Sequence, residues 1–399
     1  MAPTAWENAA IAHAVLFRDM LQVKPELNYS IPALNTNHIR KMTTKTGIYQ
    51  FAQLHKPDAR DGYTLDDNAR ALVATCQHYE HTGDQEDIKY IGIYLRFIRL
   101  CQQPDGRFLN YMDADGIFTS QNNEVNLEDA NGRAVWALGY VASRCSILPE
   151  KFSSDAFSML QNRLVSVESI HSTRAMAFII KGLYYKTTTY SDKNDQKLIR
   201  LFANRLVQMY LHETDSNWHW FEGYLTYANS LLPEALLCAW LATGNVKYKE
   251  IARKSFDFLL SKIFRGNRIA VISNKKWLHD RSAAAEVTTG GEQPIDVAYT
   301  IMALHRFYSA FRDQRYYDKM QASFNWFLGD NHLHQIVYNP CTGGCYDGLE
   351  ENYMNLNQGA ESTVSYLMAR LSIDPGEQEK ELPDQEEALL NTIYETQFI

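Results

Sequence analysis

Hydrophobic positions recur with a helical period along almost the whole chain. The helices they predict fall into two alternating classes. One is amphipathic, with a charged outer face, over residues 8–23, 85–102, 151–165, 195–211, 247–263 and 315–328. The other is apolar nearly all round and rich in Ala, Gly and Ser, over 67–79, 130–143, 173–185, 233–243, 294–309 and 361–371. A helix apolar on every side is buried on every side. The order is strictly outer then inner, six times over. Inner helices start roughly 45 to 70 residues apart, too long for simple two-helix repeats and suited to helix pairs carrying long loops. This pattern predicts an all-α fold, an (α/α)6 toroid in one domain spanning 1–399, with 374–399 an acidic segment and helix packed outside. An open superhelix is the alternative, but closure removes the ends such a solenoid must cap.

In such a ring the inner helices run in parallel, so their N-termini open on one face. Free N–H groups and partial positive charge collect there. The approaches to that face share a chemistry. The first, "GYTLDDNAR", carries Tyr63, Asp66, Asp67, Asn68 and Arg70. The second, "EVNLEDANGR", carries Glu128, Asp129, Asn131 and Arg133. The third, "ESIHSTRA", offers His171, Ser172 and Arg174. The fourth, "NWHWFEGYLTYANSLLPEA", holds Trp218, Trp220, Glu222, Tyr224, Tyr227 and Asn229. The fifth, "TTGGEQPIDVA", holds Glu292, Gln293 and Asp296, and the sixth, "GGCYDGLEENYMNLNQGAEST", holds Tyr346, Asp347, Asn357, Gln358 and Glu361.

Taken singly, Asp66, Ser172 and Asn229 read as helix caps, and Glu361 reads equally as a capping-box partner of Gln358 or Asn357. Capping needs one such residue, whereas here acids, amides and aromatics gather at most of the six approaches. A concave, acidic, aromatic-lined mouth is a binding site by default. Its chemistry suits carbohydrate: aromatic faces stack on sugar rings, amides and carboxylates bind hydroxyls, and two carboxyl groups cleave the glycosidic bond. Arg70, Arg133 and Arg174 are expected to pair with acids one turn away.

Composition narrows the partners. The chain is 45% hydrophobic and 12% aromatic, with 24 Tyr and 7 Trp, enough for a large core and for stacking surfaces. Its net charge of −8 argues against a nucleic-acid partner. No stretch is long and apolar enough for a membrane span, and "MAPTAWENAAIAHAVLF" lacks the features of a signal peptide, so a cytoplasmic location is expected. Cys76, Cys101, Cys145 and Cys238 lie in or beside helical apolar patterns; Cys341 and Cys345 share a Gly-rich loop that reads as packing rather than metal or redox chemistry. No metal and no cofactor is predicted, and the oligomeric state is open.

The alternating helices, with "DDNAR", "EDANGR", "HWFEGYLTYANSLLPEAL", "EQPIDVA" and "NLNQGAEST", resemble the six-hairpin (α/α)6 glycoside hydrolases. They also look like bacterial members associated with glycosyltransferases and mannoside metabolism. The resemblance implies hydrolysis of an oligosaccharide. Several such families place an Asp at the start of successive inner helices, which Asp67 and Asp129 match; Glu222, between aromatic rings, is the partner, with Glu292 a further catalytic candidate. Of the pair Asp66 and Asp67, one is expected to cap and Asp67 to face the sugar. The remaining residues named at the mouths are expected to bind substrate.

Other functions fit parts of this pattern. A polysaccharide lyase would use Tyr227 with His171 or His219 and Arg174, on a site that is too acidic for a uronate. A sugar epimerase would use His171 and His219. A terpene cyclase needs a third acid on the helix face of "DDNAR", and none is there. A non-catalytic glycan-binding or scaffold domain would need the aromatics but not the acids.

Overall fold

The computed structural model describes residues 29–190, 192–279 and 289–373, with scattered positions between 10 and 20. Twelve helices lie among these residues. A short α1 (Asn37–Met42) precedes α2 (Leu65–Thr82) and α3 (Glu86–Cys101). Then follow α4 (Glu128–Ala142), α5 (Glu150–Leu164), α6 (Thr173–Thr187), α7 (Lys193–Glu213), α8 (Leu231–Thr243), α9 (Val246–Ile263), α10 (Pro294–Phe311), α11 (Gln314–Asn325) and α12 (Ala360–Ile373). The even-numbered helices from α2 to α12 are the predicted inner set. Each packs on the next, and α12 packs on both α10 and α2, so the ring closes. The odd-numbered helices α3 to α11 lie outside, each against its own inner partner. The fold is therefore the (α/α)6 toroid. The predicted outer helix 8–23, for the most part, and the segment 374–399 fall outside the described residues.

Local signals explain the inner helices. Thr64 caps α2, accepting from the Asp67 N–H at 3.2 Å, and Gly83 ends it at φ 69°. Ser172 caps α6 through the Ala175 N–H, as its residue type predicts. α10 opens with Pro294, whose missing N–H costs nothing in a first turn. Small residues set the spacing between α4 and α6. A Cβ on Gly139 would sit 2.1 Å from the Gly182 carbonyl oxygen, and one on Gly182 would sit 2.4 Å from that of Val135.

The loops on the helix-start face hold short strands that helical periodicity did not predict: β1 (Tyr49–Gln53), β2 (Lys56–Thr64), β3 (Tyr111–Met112), β4 (Tyr224–Leu225), β5 (Phe264–Arg265), β6 (Arg268–Ile269), β7 (Leu278–His279), β8 (Tyr338–Asn339), β9 (Gly344–Cys345), β10 (Gly348–Leu349) and β11 (Met354–Asn355). The first three form one antiparallel sheet; β4 pairs with β7 across a long sequence gap. All six cysteines are free, with Cys345 buried and Cys341 exposed on the β8–β9 hairpin. No described helix is long and apolar enough to cross a membrane.

Candidate active site

The starts of the inner helices bring carboxylates and arginines from distant parts of the chain into one network. From α2, Arg70 donates through Nη2 to Asp67 Oδ1 and to Glu361 Oε2 of α12, each at 2.8 Å. Asp67 also accepts from the Thr64 hydroxyl at 2.7 Å and is buried. Its neighbour Asp66 points the other way, toward α4, where Arg133 donates to it at 2.7 Å. Asp66 keeps 22% of its side-chain surface open and Glu361 keeps 42%, against 3% for Asp67. Neither aspartate is the cap, and Asp66 rather than Asp67 is the one that faces outward.

Asp129 accepts hydrogen bonds from the Ser172 and Tyr227 hydroxyls. Glu128 accepts from the His171 and Ser172 N–H groups at 2.9 and 2.6 Å, tying the start of α4 to that of α6. Glu222 receives Arg174 Nη1 on both oxygens, at 2.5 and 2.6 Å, and the Thr173 hydroxyl at 2.9 Å. Arg174 also lies 5.3 Å from the centre of the Tyr227 ring, which is 38% exposed. Of the three arginines, only Arg70 finds an acid one turn away; Arg133 and Arg174 reach acids on other elements.

Asp296 stands in the first turn of α10. It accepts the Ala228 N–H at 2.6 Å. Ala228 adopts φ 47°, a left-handed backbone that side chains other than glycine's rarely tolerate. Burial raises the Asp296 pKa to about 7, and the nearby Glu361 charge pushes the same way. Glu361 is raised too, first by burial, then by Asp67, with Arg70 opposing. Its side chain is nonetheless 42% open, held from one side by Arg70. Asp347, raised by burial, accepts the Gly359 N–H at 2.8 Å beside Glu361 and Asp67. Beneath the mouth, Arg133 lies 5.0 Å over Phe178, which meets Tyr299 edge to face.

Several residues expected at the mouth do other work. Glu292 is buried, accepting from Trp326 Nε1 at 2.7 Å and pairing with His332 at 2.8 Å. His332 is correspondingly raised, since the pairing outweighs its burial. Trp220 is fully buried against Phe221, and Trp218 packs edge-on against Phe258 while donating to the Glu222 carbonyl at 2.8 Å, so neither offers a face to a sugar. Tyr63 is buried and stacked on Tyr49. Asn131 spends its amide on Phe108 and Leu127, clasping the loop before α4, as Asn68 clasps Ile48 and Thr64 before α2. Asn357 receives the Leu54 N–H, and buried Gln358 receives the Thr342 hydroxyl. Tyr346 accepts from the Asn339 amide. Asn229 bonds Thr226 rather than capping α8, and Gln293 precedes α10 without a side-chain capping bond. Glu361, read in part as a capping-box acid, pairs with Arg70.

Sequence reading also passed over residues that matter here. Ala228 has no sequence signal, because its backbone carries its role. Trp277 had one: a lone Trp in the polar run "SNKKWLH".

His78, Asp84 and Asp87 bring ligand atoms within 4.8 Å of one another, toward the far end of α2. Arg40 already fills this cluster, donating to Asp84 at 2.6 Å and to Asp87 at 3.1 Å.

No family model matches the chain, and no curated protein matches it. Solved structures do. A sugar epimerase from a ruminal bacterium superposes with TM-score 0.64 at 10% identity, covering 86% of this chain and 97% of the other. A D-mannose isomerase gives 0.61 at 14% identity, with 93% and 97% covered. The GH76 α-mannanase of Bacteroides thetaiotaomicron gives 0.54 at 11%, with 82% and 88% covered. The chain shares the six-hairpin (α/α)6 fold with these proteins.

Proposed function

We propose that the protein is a glycoside hydrolase acting on an oligosaccharide, with Asp296 and Glu361 as its reacting carboxyl groups. The observation that carries this is the environment of the pair. Both lie at the mouth; burial and the Glu361 charge disfavour ionisation of Asp296, and burial with the Asp67 charge disfavours that of Glu361. Arg70 bonds Glu361 and favours its charged form, while Asp296, with a pKa raised to about 7, can carry a proton near neutral pH. Asp296 then protonates the glycosidic oxygen as the bond to the anomeric carbon breaks. Glu361, partly open to solvent, attacks that carbon or activates the water that does. Asp66 and Asp129, each oriented by fixed donors, bind sugar hydroxyls, and the exposed Tyr227 ring supplies a stacking face.

Asp67, Glu222 and Glu292, assigned to catalysis on sequence, take part here as positioning groups, because their carboxylates are both occupied by arginine, tryptophan or histidine and, unlike that of Glu361, largely closed to solvent. Asp129 joins them as a binding group.

The experiment is incubation with mannose- and glucose-based oligosaccharides, reading both cleavage products and the configuration of the reducing sugar. Cleavage lost in Asp296→Asn and Glu361→Gln supports hydrolysis. Inversion at the reducing sugar without cleavage would move the protein to the epimerase activity named for one neighbour. His219 gives that reading little help: its ring lies against Phe258 and the Thr214 hydroxyl.

A further inference from the structure

We infer that Trp277 forms a distal sugar-binding platform that selects longer oligosaccharides. The inference rests on the carbohydrate reading of the mouth and adds a subsite to it.

Trp277 is 49% exposed, a large apolar surface left in water. It is not loose. Its ring stacks on Tyr224 with centroids 5.3 Å apart and planes 26° apart, so one face is backed while about half of the residue, at 49%, stays exposed. The backbone on either side is fixed. The Asn274 N–H bonds the Gly291 carbonyl at 3.0 Å, and β7 pairs with β4 in the register Tyr224↔His279, Leu225↔Leu278. The ribbon holds the indole in place before any ligand arrives, which spares the ordering cost of binding.

The platform is continuous with the mouth. Strand β4 runs on into Thr226, whose hydroxyl accepts from Arg174 at 3.2 Å, then Tyr227, then Ala228 on Asp296. Tyr224, which backs Trp277, stands two residues after Glu222 and four before Ala228, so the platform joins the mouth through one short stretch of chain. A flat, backed, open indole suits the apolar face of a pyranose, and it bonds no hydroxyl in particular, so it favours length over sugar identity.

The test uses the full chain in the Glu361→Gln background, with and without Trp277→Ala and Trp277→Phe. Tryptophan fluorescence and calorimetry follow binding of a disaccharide and a pentasaccharide from the mannose and glucose series. Trp277→Ala is expected to weaken pentasaccharide binding about tenfold, to leave disaccharide binding unchanged, and to keep the melting temperature; Trp277→Phe restores most of the loss. Equal weakening for both lengths, no change for either, or no binding of any sugar overturns the inference. The hydrolase reading fails separately: length-selective binding through Trp277 with no product from the unsubstituted protein sinks hydrolysis and leaves the platform standing.

Discussion

Ala228 donates its backbone N–H to Asp296 across 2.6 Å from a left-handed conformation, φ 47°. A backbone held there costs about 1–2 kcal/mol for an L-residue, and the bond it aims lands on the carboxyl group assigned as the acid. Ala228→Gly relieves this strain and keeps the donor. It is expected to leave activity near the parent level and the melting temperature equal or higher. Ala228→Val is expected to destabilise by about 2 kcal/mol or more and to lower kcat, measured by thermal melting and steady-state kinetics.

The Asp296 pKa of about 7 links stability to pH. The group is raised above its unfolded value near 3.8, so the folded state holds the extra proton between those values. Stability therefore falls as pH rises from about 4 to 7 and levels off above, by on the order of 4 kcal/mol. Asp296→Asn is expected to flatten this fall in urea titrations across that range. The kcat/KM of the unsubstituted protein is expected to decline above about pH 7 as the acid ionises.

Arg70 and Glu361 share one hydrogen bond but differ in what their loss removes. Arg70 is buried on two carboxylates, so Arg70→Met strands Asp67 and is expected to cost about 3–5 kcal/mol. Glu361 opens to solvent, so Glu361→Gln is expected to cost less than about 1 kcal/mol while lowering kcat a hundredfold or more. Chemical denaturation beside product assays separates the two effects.

The contact between α4 and α6 leaves no room for a methyl group. Gly139→Ala drives a Cβ against the Gly182 carbonyl, so the helices must part. A loss of about 3 kcal/mol or more is expected, with binding weakened because Asp129 on α4 and Ser172 before α6 would separate. Calorimetric melting checks the first and sugar titration the second.

The ring was legible because burial on all sides leaves a mark on every residue of a helix: predicted inner spans such as 294–309 and 173–185 lie within α10 and α6. The gathering of acids at the helix starts was legible for the same local reason. What each acid does was not. Arg133 meets Asp66 across 67 positions and Arg70 meets Glu361 across 291, and sequence spacing carries no trace of such pairs. The tryptophans misled because a Trp beside an acid reads the same whether its ring faces a cleft or, as with Trp220, the core. The strands escaped notice because two-residue ribbons such as β4 and β7 are too short to show a period.

Product release from an oligosaccharide tests the central assignment most directly, with the unsubstituted protein beside Asp296→Asn and Glu361→Gln at pH 6. The account predicts cleavage by the first, loss of cleavage in both variants, and retained sugar binding in all three. Cleavage undiminished in both variants, or sugar bound by the unsubstituted protein and never cleaved, would contradict it.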